Sequence, residues 1–157
     1  MTILSWQTLD VIRPIYPWCE RTVHRPSSLT YGAGSGGYDI RLSCADDDMV
    51  FSPGAFYLAS SYESFEMPNH LCAIVHDKST WARQGLCVQN TVIEPGWCGF
   101  LTLELTNHSL NPIRLIDGVP IAQIIFHALD QPTHEPYVGR YQYQQAGPQP
   151  AITTWDE

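Results

Sequence analysis

Apolar and polar residues alternate with a period of two through much of the chain, and the alternation is cleanest in "GFLTLELTN", residues 99–107. Leu101, Leu103 and Leu105 fall on one face there, while Phe100, Thr102, Glu104 and Thr106 fall on the other, the pattern of a half-buried strand. Similar short runs predict strands in "YDIRL" (38–42), "MVFS" (49–52), "AFYLAS" (55–60), "LCAIVH" (71–76), "LCVQNTVI" (86–93), "PIRLI" (112–116) and "IAQIIFH" (121–127). Pro-Gly or Asp-Gly pairs at 53–54, 95–96 and 117–118 separate several of them as turns. This spacing predicts a single all-β domain, of sandwich or barrel type, over residues 1–157.

Helical spacing is confined to the start. Trp6, Leu9 and Ile12 recur at helical intervals behind Ser5, a residue suited to capping, and Pro14 and Pro17 limit any extension. The stretch "YGAGSGGYD", residues 31–39, holds four glycines but has no G-K-[ST] after it and no predicted strand before it, so it is expected to be a turn rather than a phosphate loop. Residues 144–157 are polar and proline-containing, and are expected to form a mobile tail.

Composition narrows the function. The 157 residues suffice for a core that needs no staples. A formal charge of −8 leaves only eight cations, Arg13, Arg21, Arg25, Arg41, Lys78, Arg83, Arg114 and Arg140, too few and too scattered for a nucleic-acid stripe. A small anionic ligand requires only that a few of them converge. Five cysteines without a C-x-x-C pair argue against a disulfide framework and against a zinc site of that type. No apolar stretch is long enough to span a bilayer, and the expected location is the reducing cytoplasm, bacterial or that of a host if the source is a virus.

Three clusters carry candidate chemistry. In "HDKSTWARQGL", residues 76–86, Lys78, Ser79, Thr80 and Arg83 place two cations beside two hydroxyls, a combination able to hold phosphate or an oxyanion; an ordinary solvated helical turn would look the same. In "NTVIEPGWCGFLTLELTN", residues 90–107, Glu94 sits beside a Pro-Gly turn while Glu104 is mid-strand, where burial would raise its pKa and fit it to shuttle protons. On a solvated face the same residue would be an ordinary surface acid. In "EPYVGRYQYQQAGPQP", residues 135–150, Tyr137, Arg140, Tyr141 and Gln144 combine aromatic faces, a cation and an amide, which suits a nucleotide but equally a polar tail.

Taken in order, "SGGYDIRL", "KSTWARQGL", "IEPGWCGFLTLEL", "PIAQIIF" and "PYVGRYQYQQ" resemble the dCTP deaminase branch of the dUTPase-like superfamily, from about residue 36 to residue 145. The resemblance implies a distorted jelly-roll, a homotrimer with active sites between subunits, and a nucleotide triphosphate bound with Mg2+ that is held through the phosphates. It also implies hydrolytic deamination without zinc; His134-Glu135 is not the H-x-E of the zinc enzymes.

By position, Glu104 matches the family's catalytic glutamate, with Ser79 and Arg83 beside it and the attacking water. Arg140 and Gln144 match groups near the triphosphate, Tyr137 and Tyr141 share that motif, and Lys78 stands where the family usually has arginine. Thr80, Gln89, Asn90 and Thr91 are expected to contact substrate from the same segments.

Two departures stand out: Glu94 replaces the usual aspartate, and the Gln89–Asn90 loop is about two residues shorter than the bacterial form. The shorter loop is expected to open space beside C5 of the pyrimidine, permitting 5-substituted cytosines or altering feedback by dTTP. The competing expectations are a bifunctional deaminase and pyrophosphatase, a dUTPase, and a non-catalytic nucleotide-binding jelly-roll.

Overall fold

The computed structural model describes residues 2–44, 46 and 48–153. Strand β1 (Thr2–Ile3) leads into helix α1 (Trp6–Ile12), followed by the short strands β2 (Ile15–Tyr16) and β3 (Thr22–Val23). Next come β4 (Thr30–Gly34), β5 (Gly37–Ser43), β6 (Asp48–Phe51), β7 (Phe56–Glu66) and β8 (Leu71–Asp77). A single helical turn, α2 (Ser79–Ala82), precedes β9 (Leu86–Val88), β10 (Val92–Ile93), β11 (Cys98–Asn107), β12 (Ile113–Ile116) and β13 (Pro120–Ala128). None of the described helices is long and apolar enough to cross a membrane.

The helix at the start follows its apolar spacing: Leu9 is fully buried, and Trp6 and Ile12 pack against the core. Ser5 occupies the N-cap position, but its side chain makes no capping hydrogen bond. Arg13 ends the helix in the left-handed region, its N–H donating to the Leu9 carbonyl, and Pro14 follows.

The strands pair in the order β10-β8-β13-β5-β7-β11-β9, every pairing antiparallel, while β6 and β12 form a separate two-stranded ribbon. This is the expected all-β architecture. Strand β5 joins the two halves of the large sheet, pairing with β13 along its first part and with β7 through Leu42 and Ser43. Tyr38, Ile40 and Leu42 from β5, Leu103 and Leu105 from β11, and Ile121, Ile124 and Phe126 from β13 are all buried to within 1% in the shared core.

A buried ion pair pins the junction. Glu63, fully buried on β7, accepts from the Arg41 side-chain Nε at 2.7 Å and from the Arg41 backbone N–H at 2.8 Å. The Arg41 guanidinium lies 4.4 Å from the Tyr31 ring centre and 4.0 Å from that of Tyr62. Burial pushes the Glu63 carboxyl up, against the opposing pull of these Arg41 bonds.

Two local expectations are corrected. The glycine-rich stretch is a hairpin rather than a turn throughout, because β4 and β5 pair from Gly32↔Asp39 to Gly34↔Gly37 and leave only Ser35 and Gly36 between them. Residues 86–93 form two strands rather than one: β9 pairs with β11 and β10 with β8, so the chain changes neighbours at Gln89–Thr91.

Candidate active site

Glu104 is placed by the register of β11. Leu101, Leu103 and Leu105 are buried in the core, so the residues between them must face the other way, and Glu104 stands opposite Leu58 of β7. A register irregularity between Phe100 and Thr102 precedes it without disturbing this alternation. Its face opens into a cavity of about 520 Å³ walled by Leu58 from β7, Thr91 to Glu94 from the β9–β10 region, Trp97, and Tyr137, Tyr141 and Gln144 from the C-terminal segment.

One oxygen of that carboxylate, Oε2, is buried and has no hydrogen-bond partner among the described residues. Burial raises the Glu104 pKa above the ordinary glutamate value, opposed by a hydrogen bond from its own backbone N–H. An unpartnered acceptor in a mostly apolar cavity can take a proton from a water molecule and return it nearby. Among the described residues, no lysine, arginine or histidine lines this cavity.

The C-terminal segment closes one side. Tyr137 donates its N–H to the Pro95 carbonyl, and its hydroxyl accepts from the Tyr141 N–H at 3.1 Å. The Trp97 indole donates to the Tyr141 carbonyl at 2.8 Å. Gln144 spends its amide on β11, donating to the Phe100 carbonyl and to the Thr102 hydroxyl, both at 2.8 Å. That hydroxyl also accepts from the Gln149 N–H at 3.0 Å, and Arg140 donates to the Ile152 carbonyl.

This close approach needs Gly99. Its φ is +144°, and a Cβ there would stand 2.8 Å from both the N and the O of Gln144. Residues 144–153, expected from composition to be a tail, thus carry hydrogen bonds to β11 and to Ser60 of β7; residues 154–157 lie outside the described residues.

The cationic cluster lies elsewhere. Lys78, Ser79 and Thr80 line a second cavity of about 400 Å³, with Asp39, Asp77 and Gln123 among its other walls. Lys78 is buried and its Nζ lies 2.6 Å from Asp39 Oδ2, an ion pair that ties the start of α2 to β5. Asp77 accepts from the Val88 N–H at 2.7 Å, fixing the end of β8 to β9. Inside α2, the buried Trp81 donates its indole N–H to the Pro120 carbonyl at 2.6 Å and so anchors the turn that carries Ser79.

Within one chain, Glu104 and Ser79 therefore face different cavities, and no hydrogen bond or ion pair among the described residues links Glu104 to Ser79 or Arg83. Arg83 is exposed and lines neither cavity. Thr91, Glu94, Tyr137, Tyr141 and Gln144 join Glu104 in the first cavity, and Thr80 and Lys78 join Ser79 in the second. Gln89, Asn90 and Arg140 are exposed and line neither, although the Gln89 N–H donates to the Glu104 carbonyl at 2.9 Å.

Sequence reasoning missed Asp39, Thr102 and Trp97. Asp39 lies inside the quoted "YDIRL", but its link to Lys78 spans 39 positions and carries no local signal.

Known proteins resemble this chain in sequence and in fold. A profile of the dCTP deaminase-like family matches residues 35–129. A dCTP deaminase of Roseiflexus castenholzii is 33% identical over 92% of this chain and 96% of its own length, and one of Campylobacter fetus subsp. fetus is 32% identical over 88% and 89%. Among solved structures, the native EIAV dUTPase aligns with a TM-score of 0.54 at 23% identity, over 66% of this chain and 84% of its own. The dUTPase of Staphylococcus bacteriophage 80alpha gives 0.56 at 15% identity, over 78% and 90%. The structural likeness concerns the fold alone; the profile match, which spans the segments at 78–83 and 94–104, and the relatives above 30% identity establish that this chain belongs to the dCTP deaminase-like family.

Proposed function

We propose that this protein hydrolyses the exocyclic amine of a deoxycytidine nucleotide, dCTP above others, to give dUTP and ammonia. The observation that carries the reading is the unpartnered, buried Oε2 of Glu104 in a cavity framed by two tyrosines and a glutamine amide. Glu104 takes a proton from water as the oxygen bonds to C4 of cytosine and passes that proton to N3, so that the C4–N3 double bond becomes single. Glu104 then takes the second proton from the new C4 hydroxyl and delivers it to the amine: the C4 carbonyl forms, the C4–N bond breaks, ammonia leaves, and the carboxylate is regenerated.

Ser79 and Arg83 act on the Glu104 of a second copy of the chain in a homotrimer. This accounts for their lying apart from it in one chain and for the absence of a cation in the first cavity. Ser79 orients the water and Arg83 holds the carboxylate. Arg140, Gln144, Tyr137, Tyr141, Lys78 and Thr80 are proposed nucleotide contacts, with Glu94 toward the sugar and Gln89, Asn90 and Thr91 toward the base. Gln144 must exchange its bonds to β11 to serve a phosphate, and so we propose a mobile segment from residue 144 onward within the single domain.

Among the described residues no three His, Cys, Asp or Glu side chains converge as a metal cage. In this reading magnesium enters as an ion carried on the triphosphate. A cytoplasmic enzyme subject to dTTP feedback completes the reading.

The test is a product assay with magnesium on dCTP, dCMP, 5-methyl-dCTP and dUTP offered separately, following ammonia and pyrophosphate. Ammonia from dCTP without pyrophosphate is the expected result. Pyrophosphate from dUTP would shift the chemistry toward Glu94 and a bifunctional or dUTPase reading, and nucleotide binding without either product would leave a binding module.

A further inference from the structure

We infer that Arg21, which no family motif quoted above includes, binds the phosphates of the substrate; the inference rests on the nucleotide reading just given. Of the eight cations, four are held by carboxylates: Arg13 by Asp10, Arg41 by Glu63, Lys78 by Asp39 and Arg114 by Asp48. Arg140 donates to a carbonyl. Among the described residues Arg21, Arg25 and Arg83 have no hydrogen-bond or ion-pair partner for their side chains, and Arg21 alone of these lines either of the two cavities described above, the one formed with Lys78, Ser79 and Thr80.

The charge of that cavity depends on Arg21. Its ionisable walls are Arg21, Lys78, Asp39 and Asp77, two of each sign. Lys78 is already neutralised by Asp39, so without Arg21 the remaining charge would be that of Asp77 and the cavity would repel an anion. With Arg21 present, a cation that has no partner of its own among the described residues lines the same cavity as Ser28, Thr30, Ser79 and Thr80, a donor set suited to phosphate oxygens.

The backbone holds Arg21 in place through the glycine-rich hairpin. Glu20 bridges to Ala33, the Ala33 N–H donates to the Cys19 carbonyl at 2.9 Å, and Thr22 pairs with Tyr31. Gly32 permits this approach: its φ is +91°, and a Cβ would stand 2.9 Å from the Cys19 oxygen and closer still to that of Glu20. The glycine-rich stretch, which lacks the features of a phosphate loop, thus serves phosphate indirectly, by seating the segment that carries the arginine.

The experiment compares Arg21→Gln and Arg21→Lys with wild type, using dCTP turnover and inorganic tripolyphosphate as a competitive inhibitor. Arg21 is exposed, and unchanged thermal unfolding will confirm an intact fold. Arg21→Gln is expected to raise KM for dCTP and the inhibition constant of tripolyphosphate about tenfold or more, with kcat within about twofold, and Arg21→Lys to recover most of the loss. Unchanged KM and inhibition constant in Arg21→Gln would overturn the inference while leaving the deaminase reading intact. If wild type does not turn over dCTP, that reading fails by itself, and calorimetry with tripolyphosphate still decides on Arg21: weaker binding in Arg21→Gln supports it, and equal or absent binding in both proteins refutes it.

Discussion

Glu104 and the Ser79–Arg83 turn face different cavities of the same chain, and a site shared between copies predicts rescue of two inactive variants by mixing. Glu104→Gln keeps the shape of the side chain but cannot accept a proton, and is expected to lower kcat by about 10²- to 10⁴-fold. The double change Ser79→Ala and Arg83→Ala removes the complementary half and is likewise expected to be nearly inactive. In trimers assembled at random from equal amounts of the two, a shared site is intact when the copy supplying Glu104 is the double variant and the copy supplying the turn is Glu104→Gln. Each condition holds in half the cases, so about a quarter of wild-type activity per site should return. The assay is ammonia release from dCTP by co-expressed variants, with native mass spectrometry to confirm mixed assemblies and separately purified variants combined without subunit exchange as the control. Confirmed mixed trimers with no more activity than their parents would refute a shared site and require Ser79 and Glu104 to meet within one chain.

Three further outcomes follow from burial and contacts at particular residues. Burial raises the Glu104 pKa in the unliganded chain, and the general base must be ionised to act, so the acidic limb of kcat/KM against pH should fall above the ordinary glutamate range; kcat/KM persisting unchanged down to that range would contradict the role. The same shift costs the folded state stability as pH rises through the displaced pKa, because the native protein holds that proton more tightly than the unfolded chain. Trp81→Phe keeps an aromatic ring in the core but leaves the Pro120 carbonyl without its donor, and should cost about 1–3 kcal/mol, read as a lowered midpoint in urea unfolding; an unchanged midpoint would show that the indole bond does not anchor α2.

The strands that bury one face were legible in the sequence because their side chains alternate against a single core. Strand β11 and the middle of β13, Ala122 to Phe126, follow that rule, and the helix at Trp6–Ile12 follows its own spacing. Strands β1 to β3, of two residues each, are too short for any period to show. The change of neighbours at Gln89–Thr91 was invisible for a different reason: Leu86–Val88 and Val92–Ile93 both have the apolar content of one strand, and only their partners differ. At the site, Glu104 was legible because an acid breaks an apolar pattern. The engagement of Lys78 by Asp39 was not, since it depends on the order β8-β13-β5 bringing distant positions to one edge. The docking of residues 144–149 likewise depends on the backbone angle of Gly99, which composition does not reveal.

The alternation along β11 also limits how such a protein can change length. One residue inserted between Leu101 and Leu103 would exchange the faces of everything beyond it, sending Glu104 into the core and a leucine into the cavity. At Gln89 and Asn90, where the chain is exposed and between partners, an inserted or deleted residue disturbs no alternating face. Chains built on this scaffold are therefore free to lengthen or trim the Gln89–Asn90 loop, while the strand that holds the acid can accept substitutions but not insertions.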